Sequence, residues 1–157
     1  MMRLEDVLAD GACLVGLGNP WRRDDGVGPW LADSLAGSGY AVFDAEDVLE
    51  NHVFDIARTC IRNVIIMDAV AADLEPGSVF FEPLDGLEEP AGVSTHKLAL
   101  GLCGKILEAH GKRTYLLGIV PADLDFGRGL TPEVAKAASA VRDRILRARR
   151  ESRGVSP

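Results

Sequence analysis

The sequence is short of several features that would assign a class at once. It has three cysteines, Cys13, Cys60 and Cys103, in 157 residues, with no Cys-x-x-Cys pair. That excludes a disulfide scaffold and a cysteine-rich zinc site. Each cysteine falls in an apolar stretch, where a thiol in a reducing compartment acts as a small buried hydrophobe. Aromatics are only 6%. No apolar run is long enough to span a bilayer. Glu5, Asp6 and Asp10 interrupt the apolar residues near the N-terminus, so no signal peptide reads there. The expectation is a cytoplasmic protein that does not bind membrane. Basic charge is also in deficit: 17 Lys and Arg stand against 24 Asp and Glu, a net charge of −7. Such a chain is a poor nucleic-acid binder. The arginines of "VRDRILRARRESR" complement a helix C-terminus and read as a solvated helix end, with an acidic-partner patch as the alternative. His-Glu-x-x-His, Gly-x-Ser-x-Gly and Gly-Lys-Ser/Thr are all missing, which removes the common zinc, serine and P-loop readings.

What remains is an ordinary globular balance, 47% hydrophobic and 26% charged, enough for one core in one domain over 1–150. Residues 151–157 read as a disordered tail. Apolar runs at 12–18, 40–45, 63–70 and 113–122 read as strands, and "EPGSVFFEP" (75–83) as a turn and a further strand. Helical spacing covers 26–36, 49–60, 95–111 and 131–150. Leu49, Val53, Ile56 and Cys60 fall on one face, and Leu98, Leu102 and Ile106 on another. Pro29 belongs in a first helical turn, Thr131 reads as an N-cap, and Pro132 as the first helical residue. Residues 85–94 read as a loop. Alternation of strand and helix predicts an α/β three-layer sandwich. Its five-stranded sheet is mostly parallel, with helices on both faces. The link before 75–83 is too short for a crossover helix, so that strand is expected antiparallel at an edge, closed by Pro83.

In such sheets the site lies at the carboxyl ends of the strands. The polar residues expected there are Asn19, Arg22, Arg23, Asp24 and Asp25, then Asp44, Glu46, Asp47, Glu50 and Asn51. Asp68, His96, Asp123 and Asp125 complete the set. "GLGNPWRRDDGVG" (16–28) resembles a phosphate loop only in its glycines. A dinucleotide fingerprint needs a third glycine near Trp21, and two aspartates at a helix start repel an anion. Asp24 reads as a helix N-cap. Asp25, Asp68 and His96 form a set of two carboxylates and one imidazole. Three ligands with open positions suit a divalent metal of borderline softness, such as nickel or zinc, with water or substrate completing it. His52 and His110 read as surface residues.

Several segments, in order, resemble the nickel–iron hydrogenase maturation endopeptidases. They are "GLGNPWRRDDGVG", "IIMDAV", "VSTHKLAL" and "LLGIVPADLDFGRGLTPEV", with "EDVLENHV" a looser match. The resemblance implies an α/β fold with a five-stranded sheet between helices. It also implies cleavage of a C-terminal extension from the hydrogenase large-subunit precursor after nickel insertion. It puts the metal-contacting residues at Asp25, Asp68 and His96, with substrate contacts at Asn19, Arg22, Arg23, Glu50 and Asn51. The nickel would come with the precursor, leaving no separate cofactor and a resting enzyme that needs no metal. Two departures stand out. A common Gly-Thr pair after the second strand reads Glu46-Asp47 here, and Pro-Glu-Asn reads Leu49-Glu50-Asn51. The alternative is a metal-dependent chaperone or binding partner of the precursor that does not cut it.

Overall fold

The computed structural model describes residues 2–86, 93–94 and 96–152. Strands β1 (Ala12–Leu17), β2 (Ala41–Glu46), β3 (Asn63–Ala71), β4 (Val79–Pro83), β5 (Val93–Ser94) and β6 (Arg113–Ile119) alternate with helices. The helices are α1 (Leu4–Ala9), α2 (Val27–Leu35), α3 (Val53–Arg58), α4 (Lys97–Ala109) and α5 (Pro132–Ser152). Five strands run in the order β2-β1-β3-β6-β4, and the two-residue β5 pairs with β3 off that path. β1, β2, β3 and β6 are mutually parallel, and β4 lies antiparallel to β6 at the edge. Pro83, opposite Tyr115, takes the edge place where a missing N–H costs no ladder bond.

Side-chain alternation along the strands builds two cores. Leu14, Ile65, Met67, Leu117 and Ile119 pack with α1, α2 and α5 on one face. Cys13, Val15, Leu17, Ile66 and Leu116 pack with α3 and α4 on the other. β3 is buried from Asn63 to Val70. A fully buried Leu or Ile is worth roughly 1.5–3 kcal/mol, so this central strand carries much of the hydrophobic stabilisation.

Several expectations need correction. α1 was not foreseen: Leu4, Val7 and Leu8 bury against the first core, and six residues are too few for a clear period. The segment 49–60 is a 3-10 turn (Leu49–Asn51) followed by the six-residue α3. Cys60 lies beyond it and is exposed, while Cys13 and Cys103 are buried. Burial pushes the Cys13 thiol pKa up to about 12. On α4 the buried stripe is Leu100, Cys103 and Leu107, whereas Leu98 and Leu102 face solvent. Leucines occupy both faces of that helix, so spacing alone could not choose between them.

Three arginines of α5 are not simply solvated. Arg144 makes a bidentate pair with Glu5 of α1, at 2.8 and 2.9 Å. Arg142 and Arg149 lie over the rings of Trp30 and Tyr40. The tail expected from residue 151 begins inside α5, which continues through Ser152; residues 153–157 fall outside the described residues.

Candidate active site

The connection from β1 to α2 shows what the glycine-rich stretch does. Gly28, in the first turn of α2, sits against the backbone of Leu17 and the Met67 carbonyl, and a Cβ there would overlap both. Gly18, at φ 145°, lets the chain leave β1 where a side chain would strike the Asp25 carbonyl. The glycines therefore bring a helix start down onto two strand ends.

Asp24, fully buried, is not a cap. Neither the 3-10 turn at Arg23–Gly26 nor α2 has a side-chain cap bond. Its carboxylate instead accepts the N–H groups of Ala122 (2.9 Å), Asp123 (3.0 Å) and Thr131 (2.8 Å), and the Thr131 hydroxyl (2.8 Å). A buried carboxylate is tolerable when donors surround it. α5 begins at Pro132, as expected, and the Thr131 carbonyl accepts the Ala135 N–H at 2.8 Å.

The same connection is joined by backbone bonds to the segment after β6. Arg23 N–H donates to Gly127 O, Gly127 N–H to Trp21 O, and Asp24 N–H to Asp123 O. Arg22 Nε donates to Leu124 O at 3.2 Å, and Arg23 pairs with Asp123 at 3.5 Å. Asn19 Oδ1 accepts the Trp21 N–H and closes a local turn. Arg22 and Arg23 thus hold the two segments together, while Asn19 shapes the first of them.

Asp25 follows in this fixed loop, 2% exposed, with Oδ2 accepting the Asn19 N–H at 2.9 Å. Asp68 projects from β3, 1% exposed. It was expected at the strand's end, yet β3 runs on to Ala71, because Val70 and Ala71 pair with Ser94 and Val93 of β5. That short pairing, inside a segment expected to be loop, delivers His96 two residues later at the start of α4. Residues 87–92 of the expected loop lie outside the described residues.

The three sequence-predicted residues meet. Asp25, Asp68 and His96 each offer a ligand atom, and these atoms lie within 4.8 Å of one another. His96 Nδ1 donates to Asp68 Oδ2 at 3.4 Å, a long hydrogen bond. That bond, with the charges of Asp68, Asp25 and Asp47, outweighs burial and holds the imidazole pKa above its ordinary value. Two carboxylate oxygens and one imidazole suit a divalent ion of borderline softness, and the same groups can move a proton to or from a bound water.

Glu50 and Asn51 lie in the exposed turn before α3, outside this cluster; the Glu50 charge bears on Cys103 of α4. Asp47, expected at the carboxyl edge though not among the site residues, has a charge that reaches His96. The available signal was the Glu46-Asp47 pair. Glu46 sits at φ 49°, a left-handed conformation that favours glycine.

Comparisons with known proteins bear on the fold and the family. The family model described as "Hydrogenase maturation protease" matches residues 32–148. The hydrogenase 3 maturation protease of Escherichia coli K12 is 27% identical over 135 residues, covering 84% of this chain and 86% of that protein. The solution structure of an endopeptidase, HycI, from Escherichia coli superposes with a TM-score of 0.74. It is 25% identical and covers 87% of this chain and 89% of that one. A nickel–iron hydrogenase maturation protease from Thermococcus kodakarensis shares the fold with a TM-score of 0.75 at 22% identity, over 94% of this chain and 98% of that one.

Proposed function

The chain belongs to the hydrogenase maturation protease family, and from that membership we propose that it removes the C-terminal extension of a nickel–iron hydrogenase large-subunit precursor once nickel has been inserted. The observation that carries this reading is the convergence of Asp25, Asp68 and His96, with ligand atoms within 4.8 Å of one another at the carboxyl edge of the sheet. In it the nickel is part of the substrate, held by the precursor's own ligands, and the enzyme has no resident metal. The three side chains engage that nickel and so report that the precursor is loaded. The peptide bond is presented beside them and hydrolysed by water. A carboxylate that takes the water's proton and passes it to the leaving amine, or the nickel polarising the carbonyl, supplies the catalysis in this reading.

The test is to incubate the protein with nickel-loaded and nickel-free precursor and read the precursor's C-terminus by mass spectrometry. Loss of the extension from the loaded form alone is expected. An intact tail on the loaded form would sink the reading, and cutting of both forms would remove nickel from it.

A further inference from the structure

Large apolar side chains are exposed around the three-residue site on elements that do not need them for the core. Trp21 is 55% exposed, Phe126 85% and Leu98 88%. Trp21 stands in the β1–α2 connection, four residues before Asp25. Phe126 stands in the β6–α5 connection, and Leu98 in the first turn of α4, two residues after His96. Burying such a side chain is favourable, and here that gain is not taken within the chain.

The first two are not on slack loops. The Gly127–Trp21 and Arg23–Gly127 backbone bonds, both 2.9 Å, tie their segments together. The four donors on Asp24 hold the flanking residues. The guanidinium of Arg128 lies 4.5 Å over the Trp21 ring. Rigid aromatic and arginine side chains already in place lose little entropy on binding, which is why they dominate protein interfaces.

We propose that the carboxyl edge of the sheet is a protein-docking face, anchored by Trp21, Phe126 and Leu98 around the cleavage site, and that its occupant is the folded body of the precursor. This rests on the function proposed above. Trp21 and Phe126 belong to connections leading into α2 and α5, which pack on one face of the sheet. Leu98 belongs to α4, on the other face. The anchors therefore flank the site from both helical layers. Anchors contributed from two helical layers suit a folded surface that spans the edge. Charge adds polarity to the face. Arg128 marks the Trp21 side, while exposed Asp44, Glu46, Asp47 and Glu50 mark the β2 side. The complementary surface has apolar recesses, a carboxylate facing Arg128 and basic residues facing the β2 end.

The experiment compares wild type with Phe126→Ser and Leu98→Ser, both at exposed positions that the fold does not use. Met2→Ser, at the amino end of the sheet, is the control. Cleavage of nickel-loaded precursor is followed for KM and kcat, and precursor binding is measured directly by interferometry. Each docking variant is expected to raise KM and Kd about tenfold with kcat unchanged, and Met2→Ser to change neither. If wild type cleaves and the docking variants keep its KM, the docking face is overturned while the proposed function stands. If wild type does not cleave, that function fails and binding decides. Weakened binding by Phe126→Ser and Leu98→Ser still supports the face. Unchanged binding in the variants, or none by wild type, overturns it.

Discussion

Thr131 gives both its backbone N–H and its hydroxyl to the carboxylate of Asp24, each at 2.8 Å, across 107 residues of sequence. Ala122 and Asp123 add two more N–H groups to the same carboxylate. The neighbour of a site residue is thus the fastener between the first and last connections of the sheet. Asp24→Asn puts an NH2 among these buried donors and is expected to cost about 3 kcal/mol. Thr131→Val removes one donor and should cost about 1 kcal/mol. Denaturant unfolding of both variants and the double variant checks this, and the double variant should lose less than the sum of the two.

Asp25→Asn and Asp68→Asn keep shape and volume while removing charge. Each should leave the far-ultraviolet dichroism unchanged and lower cleavage of nickel-loaded precursor by at least about 100-fold, the scale of a lost acid–base or ligand group. Cleavage at the wild-type rate by either variant would take that carboxylate out of the reaction.

Gly28→Ala tests the reading of the glycines. The added methyl would overlap the Leu17 backbone and the Met67 carbonyl, which cannot move without shifting β1 and β3. Overpacking of that kind costs about 1–3 kcal/mol. A lower Tm is expected, with weaker cleavage, because the start of α2 and the turn carrying Asp25 move together. Gly37→Ala, where a Cβ meets nothing, should leave cleavage unchanged and lose only the stability due to its left-handed backbone.

The raised pKa of His96 has a definite sign. Its folded value exceeds its unfolded value of about 6.5, so the folded state binds the proton more tightly. That stabilisation is fully present below the unfolded pKa and is lost as pH rises through the folded one. Relative to His96→Gln, wild type should therefore have its largest margin of Tm in acid buffer and lose it in alkaline buffer. Ligation of a metal needs the neutral ring. Cleavage should accordingly fall on the acid side, with an apparent pKa above 6.5. Asp47→Asn, removing one of the charges that hold it up, should move this edge toward acid.

The parallel strands, the antiparallel edge at β4 and the meeting of Asp25, Asp68 and His96 were all legible in the sequence. Long apolar runs and a short link constrain topology strongly, and parallel strands bring their carboxyl ends to one side. Other features were not legible because tertiary contacts decide them. Asp24 resembles a cap by position, but its partners lie about a hundred residues away. β5 has only two residues, and without it neither the length of β3 nor the placement of His96 can be read. α4 carries leucines all round, so only the packed structure shows that Leu100 and Leu107 point inward while Leu98 does not.

The span between Asp24 and Thr131 also orders events during synthesis. A chain made from its N-terminus has Asp24 and Asp25 early, but Ala122, Asp123 and Thr131 only when most of its length is complete. Until then the turn bearing Asp25 lacks the donors that fix it, and the carboxylate of Asp24 stays in water. The cluster of Asp25, Asp68 and His96 is therefore assembled late. A nascent or truncated protease ending before Thr131 is left without the fastener that sets its first site residue, so competence to cut arrives together with completion of the fold.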